Sequence, residues 1–405
     1  MRIFIEPTEP LLFRTGRPFN AGENNFAETI FPPTPETLQG ALRAMIAVQW
    51  GKSLQQPLSN LNEIFSHTDI LKLIGKRVNG RNIYGRFRIT GLTLGRRNQA
   101  TQKVERLFPA PSHIIRATLA QEGTNKTTTK SVRLIPASEV AREGMSNHPS
   151  GKKMLFPALS GHKTAGKSEA LEGWLTEQAL KVALSKEDIP DDEEKTIPTH
   201  KVYVRESRLG IGMNNATKTT EEGYLYQVQM IRMQPNYGFV VDIQLGEEQY
   251  GDSDLPHEEQ HTDGFGVPTN LNFLKEGWLI LGGEQRAARF EVLKPESIAE
   301  EQSITRATSG KMLYFATPAY FKNGWLPEDH GILPAEPVTA AINHYQTIGG
   351  WYLNPHNAGG EGKTTRRCIP AGSVYFFDKP VTVTQPLTEY GWQIGYGIAY
   401  TGDYE

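Results

Sequence analysis

The sequence predicts an α+β chain with antiparallel sheets, and three observations predict it. The first residues, MRIFIEPT (1–8), alternate apolar and polar side chains, as a half-buried strand does. A long loop, LLFRTGRPFNAGENNFAETIF, then leads into one well-marked amphipathic helix. Beyond residue 199 strand-like stretches dominate, and the strand–helix–strand order occurs in both halves. Two ferredoxin-like (RRM-like) units account for that order. The acidic run KEDIPDDEEK (186–195) divides them into residues 1–196 and 197–405.

The helix after the first strand carries every local signal. Thr34 is an N-cap residue, Pro35 suits the first helical position and Glu36 suits the positive end of the helix. Leu38, Ala41, Leu42, Met45 and Ile46 form a single apolar stripe, and Gly51 closes the helix. NIYGRFRITGLTL (82–94) reads as strand. Residues 118–168, rich in Thr, Lys, Gly and Ser, read as long loops. A second helix is expected over 169–184, with Leu171, Trp174, Leu175, Ala179 and Val182 on one face. KVYVRESRLGIGM and GYLYQVQMIRM flank the polar segment NNATKTTEE (214–222), which predicts a hairpin with a projecting tip. YGFVVDIQL, GWLILGG and RFEVL add strands, a short helix is expected within 335–346, and SVYFF and GWQIGYGIAYTGDY end the chain.

Composition bounds the class. The chain has 405 residues, 38% hydrophobic and 22% charged, which is globular and long enough for two or three cores. One cysteine, Cys368, excludes an internal disulfide framework and a cysteine-rich zinc site. No apolar run is long enough to span a bilayer, and the N-terminal segment carries Glu6 and Glu9, unlike a signal peptide. A cytoplasmic protein with no membrane partner is expected. The net charge of −2 gives no global nucleic-acid signature, but charge is unevenly spread. Residues 76–106 hold nine Lys or Arg and one acid, whereas 247–263 hold seven acids and no Lys or Arg. These are either a basic face with an acidic counterpart or two solvated loops of opposite sign.

GHKTAGKS (161–168) matches a phosphate-binding loop, in which Lys167 reaches the outer phosphates, Ser168 holds magnesium and Asp242 of GFVVD (238–242) is a second metal ligand. Its lead-in, KKMLFPALS, is interrupted by Pro157, which a central strand does not tolerate well. The plainer reading is a loop ending in an N-cap at Ser168. GGEGKTT (359–365) fails the same pattern at Asn357 and is followed by Pro370 rather than a helix. It remains a cationic loop suited to lie along an RNA backbone. The ten histidines form no HExxH, and His257 and His261 lie in the acidic loop. Cys368 has no evident histidine partner and reads as a small buried residue. His200 is either a general base for RNA cleavage or structural. No cofactor or metal is expected.

FPPTPETLQGALRAM (31–45), LFPAPSHI (107–114), WLILGGEQRAARF (278–290), GGWYLNP (349–355) and IPAGSVYFF (369–377) occur in this order across nearly the whole chain. Together they resemble the third subunit of the Cmr complex, the type III-B CRISPR effector, within the RAMP superfamily. The resemblance implies a pair of ferredoxin-like RAMP domains with a projecting β-hairpin thumb. It also implies a non-catalytic subunit that holds the 5′ repeat-derived handle of CRISPR RNA beside the large palm-domain subunit and the backbone RAMP subunits, in antiviral defence. A repeat-cleaving endoribonuclease using His200 and a phosphate-loop nucleotide hydrolase using Lys167 and Ser168 are the alternatives.

Single-stranded RNA is held by cations on phosphates, close backbone approach at glycines and stacking on aromatics. Lys363, Arg366 and Arg367 precede the turn at Gly372 and are the leading cations, with surface salt bridges or contact with a protein partner as the alternative for the two arginines. In LFRTGRPF (12–19), Arg14 and Arg17 suit phosphates and Phe19 suits either a base or the core. Arg43 lies on the polar side of the first helix, Arg205 and Arg208 at the hairpin base, and Arg286 in GGEQR. The glycine-rich C-terminal loop that the resemblance implies offers Gly395 and Gly397.

Overall fold

The computed structural model describes residues 1–15, 26–58, 60–78, 81–120, 127–140, 151–157, 163–164, 168–185, 187, 195–214, 216–247, 266–299, 309–354 and 357–404. Strand β1 (Arg2–Pro7) leads to helices α1 (Pro35–Ser53) and α2 (Thr68–Ile74), then strands β2 (Phe87–Arg97) and β3 (Val104–Pro109). Strands β4 (Ile114–Ala120), β5 (Thr127–Val140) and β6 (Lys153–Pro157) follow, then β7 (Trp174–Thr176), helix α3 (Glu177–Ala183) and β8 (Thr196–Ile197). The hairpin strands β9 (Tyr203–Met213) and β10 (Thr220–Met233) precede β11 (Tyr237–Leu245), β12 (Glu276–Ile280) and β13 (Ala287–Val292). The C-terminal strands are β14 (Gly310–Phe315), β15 (Thr339–Ala341), β16 (Arg366–Ile369), β17 (Val374–Val381) and β18 (Ala399–Gly402).

The fold is α+β. An eight-stranded sheet runs β8-β7-β3-β2-β11-β1-β13-β12, and a four-stranded sheet runs β15-β17-β14-β18. Strands from both sides of residue 196 lie in the larger sheet, so that position marks no break in it. Strand β1 is interior, between β11 and β13, and both of its faces are covered. Ile3 and Ile5 join the core under α1, while Phe4 packs on the opposite face with Val104 and Val240.

Helix α1 forms as its sequence predicts. The Thr34 hydroxyl accepts from the Thr37 amide at 3.4 Å, Pro35 opens the helix, and Leu38, Leu42, Met45 and Ile46 are buried against the sheet. It runs past Gly51 to Ser53, so Gly51 is not the terminator. A methyl group there would sit 2.9 Å from Ile64 Cδ1, so this glycine serves close packing rather than helix ending.

Three expectations are corrected. The helix expected at 169–184 begins only at its N-cap, Thr176, whose hydroxyl accepts from the Ala179 amide at 3.3 Å. Trp174–Thr176 instead pair with Leu107–Pro109 as strand. The apparent stripe arises because a strand and the helix after it feed neighbouring parts of the core: Trp174 joins the core under α1, while Leu175, Ala179 and Leu180 pack against Met312, Tyr314 and Phe376 of the smaller sheet. Within 118–168 the described residues are largely strand, β4–β5–β6 in antiparallel order, as its threonines favour. Residues 339–341 pair with Val374–Phe376 as β15, where a short helix was expected.

Candidate nucleic-acid interface

A cleft of ≈ 790 Å³ opens between the helix-bearing face of the larger sheet and the loops of the smaller one. Its lining combines the aromatic Phe31, Trp174 and Phe239 with polar residues that include Glu28, Arg205, Tyr345 and Gln346. Phe31–Pro33, just before α1, and Pro370–Ala371, just before β17, both line it. The Phe31–Pro32 peptide is cis. Phe31 also packs on Tyr203 with ring centroids 4.3 Å apart, which ties the entry to α1 to the base of the hairpin. Tyr345 is half exposed, with an accessible face.

The predicted cations divide by what they touch. Arg205 lines the cleft, donating to the Thr29 carbonyl at 3.1 Å and to Gln229 Oε1 at 2.6 Å. Arg14 is exposed in the segment that bridges to Thr29, another cleft residue. Arg17 and Phe19 lie outside the described residues. Arg208 and Arg232 both pair with Glu206, at 2.8 and 2.7 Å, on the hairpin. Arg286 is held between Glu9 at 2.8 Å and Glu284 at 2.6 Å. Arg43 donates to the Gly75 carbonyl at 2.6 Å and so caps the end of α2. These last three predicted cations, Arg208, Arg286 and Arg43, have internal partners.

The pair at 366–367 also splits. Arg366 is half-buried, its guanidinium carbon 3.6 Å from the Tyr390 ring centroid and 5.8 Å from that of Tyr320. Arg367 is exposed. Tyr390 donates to Glu36 Oε1 at 2.5 Å, and Lys363 Nζ lies 3.5 Å from Glu36 Oε2. Burial, and then the Glu36 carboxylate, push the Tyr390 phenol above its ordinary value, so it remains a donor. Glu36, at the start of α1, thus joins the larger-sheet unit to the 363–390 region. Sequence reading singled out Glu36 only for the helix dipole, because its partners lie more than 300 residues away.

Gly395 and Gly397 are buried, which corrects their assignment as RNA-facing backbone. Their left-handed φ values, +101° and +68°, shape a turn whose inner side abuts Ile89 and the Leu387 carbonyl. At least four of the nine cations in the basic run 76–106 are tied to internal partners. Arg96 pairs with Glu105, Arg97 with Glu291 and Arg106 with Glu177, and Arg88 is buried against the Gly85 and Phe87 carbonyls.

Lys167 lies outside the described residues, and Ser168 is followed by strand Glu169–Ala170 rather than the helix a phosphate loop requires. Asp242 pairs with Arg2 at 2.6 Å. His200 is exposed on the short helix Thr199–Val202, and His257 and His261 lie outside the described residues. Burial pushes the Cys368 thiol up to about 12, which leaves it protonated and unreactive. Among the described residues no helix is long and apolar enough to cross a membrane.

A model of the family described as CRISPR-associated protein (Cas_Cmr3) matches residues 3–404. Curated proteins give no match. Solved structures similar to the chain include one of the type III-B Cmr-beta complex bound to cognate target RNA and AMPPnP, with 15% identity and TM-score 0.45 over 93% of this chain and 86% of that one. Another, of Cmr-beta bound to cognate target RNA, has 16% identity and TM-score 0.44 over the same shares, 93% and 86%. A third, of the Csm3–Csm4 subcomplex of the type III-A interference complex, has 11% identity and TM-score 0.33 over 95% and 94%. The match over nearly the whole length shows that the chain belongs to the Cas_Cmr3 family of CRISPR-associated proteins.

Proposed function

We propose that the chain is a non-catalytic subunit of a type III-B CRISPR RNA-guided effector. It binds the 5′ repeat-derived handle of CRISPR RNA at the inter-sheet cleft and bridges the large palm-domain subunit to the backbone RAMP subunits. One observation carries the reading. Four of the sequence segments that define the resemblance, far apart in the chain, converge on one cleft: Phe31–Pro33, Pro109, Gly349 and Pro370–Ala371. Aromatic walls with a few polar groups suit a splayed base, and the exposed Arg367 and Arg14 suit the flanking phosphates.

Strand order supports the two-domain RAMP reading. In the larger sheet β2-β11-β1-β13, and in the smaller β15-β17-β14-β18, the first strand of each set lies between the third and the fourth, with the second outermost beside the third. That is the ferredoxin-like order. On this reading the division between units falls near residues 293–309 rather than at 196. The hairpin β9–β10 is the thumb. It presents a row of exposed aliphatic side chains, Leu209, Ile211 and Leu225 among them, suited to wedge against bases.

The test is fluorescence anisotropy of labelled handle RNA with the full chain and its Tyr345→Ala variant. Loss of a stacking platform weakens binding by at least about fivefold, since a base–aromatic stack is worth roughly 1–3 kcal/mol. Equal affinity of the two proteins would remove the cleft from the handle site. Metal-independent cleavage of repeat RNA by the chain alone, abolished by His200→Ala, would replace this function with a nuclease.

A further inference from the structure

The segment 112–168 carries nine Lys or Arg against three acids, in a chain whose total is −2. In the basic run 76–106, Arg96, Arg97 and Arg106 meet carboxylates on neighbouring elements, whereas the segment 112–168 has too few acids of its own to answer its cations. Part of its charge anchors it: Lys152 pairs with Glu336 at 2.6 Å, Lys153 with Asp378 at 2.7 Å, and Arg133 donates to the Val182 carbonyl at 2.7 Å. Those contacts fix β5 and β6 against α3 and the smaller sheet.

The β4–β5 ribbon has a different character. One face buries Ala117, Leu119 and Val132. The register Arg116↔Ser131, Thr118↔Thr129, Ala120↔Thr127 places a ladder of hydroxyls and one arginine on the other. Arg116 is exposed, and Thr127, Thr128, Thr129 and Lys130 are exposed in succession, so this end of the ribbon is open on both faces. Glu169, opposite Arg116, is the acid on that face. None of these residues lines the cleft.

We propose that this ribbon end, Arg116, Thr118 and Thr127–Ser131, is a second RNA contact that holds the phosphodiester backbone of a single strand away from the cleft. Hydroxyl donors beside cations bind phosphate oxygens without reading sequence, and because Lys130, opposite Ala117, stands on the ribbon's other face, a strand that meets both it and Arg116 crosses the open end. An extended ribbon offers them at a regular spacing. The proposal does not depend on handle binding at the cleft.

The test measures affinity against salt for two labelled RNAs, a handle-bearing guide and an oligouridine without a handle. The proteins are the full chain, Arg116→Ala/Lys130→Ala, and the charge-keeping Arg116→Lys/Lys130→Arg. Loss of two phosphate contacts lowers the slope of log affinity on log salt by about 1.4, and the charge-keeping variant restores it. A loss with both RNAs assigns the ribbon to any passing single strand, and a loss confined to the guide assigns it to the guide's own backbone. An unchanged slope with both RNAs overturns the proposal, as does a ribbon that binds polyglutamate in preference to either. The Tyr345→Ala variant, which tests the cleft, should leave oligouridine slopes unchanged, so the two sites can fail separately.

Discussion

Arg366 and Arg367 are adjacent in sequence and differ in environment, and a paired measurement separates them. Arg366 lies 3.6 Å from the Tyr390 centroid, half removed from water, with Tyr320 on a second side. A partly desolvated cation–aromatic contact of this kind is worth roughly 1–2 kcal/mol. Arg366→Ala therefore lowers the unfolding free energy by about that amount, and a cycle with Tyr390→Leu recovers a coupling of about 1 kcal/mol or more. Arg367 makes its strand pairing through the backbone to Thr347 and leaves its side chain exposed. Arg367→Ala changes stability by less than about 0.5 kcal/mol but, on the proposed function, removes one phosphate contact and lowers the salt slope by about 0.7. Between about 50 and 200 mM salt, wild-type affinity for handle RNA should then fall about 2.6-fold more than that of the variant. Urea titration and anisotropy on the same preparations give both quantities. An Arg366→Ala variant that lowers the salt slope as much as Arg367→Ala while leaving stability unchanged would place Arg366 on the RNA and not on Tyr390.

Two further outcomes concern the packing around the smaller sheet. Arg106 and Glu177 form a buried pair at 2.8 Å that fastens the first turn of α3 to β3. Arg106→Ala strands the carboxylate and costs about 3–5 kcal/mol in urea titration, whereas Arg106→Met/Glu177→Leu recovers much of that loss. His113 is wholly buried against Phe376, and desolvation, then the nearby Arg133 charge, lower its pKa from 6.5 to about 3. The unfolded chain takes up this proton below about pH 6.5 and the folded chain does not, so stability is full above that pH and falls as pH drops toward 3. The slope is about 1.4 kcal/mol per unit, hence about 2 kcal/mol between pH 6.5 and 5. His113→Leu should flatten that part of the stability–pH curve, and an unchanged curve would show that other groups set it.

Local signals were legible where one element alone determined them. Thr34, Pro35 and the stripe Leu38–Ile46 specify α1 without reference to the rest of the chain, and the hairpin β9–β10 announces itself by its two flanking runs. The helix at 169–184 misled because Leu171 and Trp174 are buried by strand partners from 107–115, which no local window contains. The glycines at 395 and 397 misled for a related reason: a positive φ marks a turn, but only the neighbours decide whether the turn faces solvent or, as here, Ile89 and Leu387. The cleft was illegible because its wall is assembled from residues between 15 and 371, none of which is unusual alone.

Charge shows most clearly why a linear reading falls short in this fold. Antiparallel sheets set residues from distant segments side by side, so a basic run meets its acids across strands rather than along them. Arg97 finds Glu291, Arg106 finds Glu177 and Arg286 finds Glu9, each across at least 70 residues. On the proposed function the cations that meet RNA are exposed ones: Arg14 and Arg205 at the cleft, Arg367 at the start of β16, and Arg116 and Lys130 on the ribbon. Five such contacts give a salt slope of about 3.5, shallow for a nucleic-acid binder. On the proposed function, the remaining affinity must come from terms that salt does not screen, chiefly stacking and burial in the cleft between the two sheets. A handle affinity that collapses with salt far more steeply than that slope would mean that charge, not the cleft, holds the RNA.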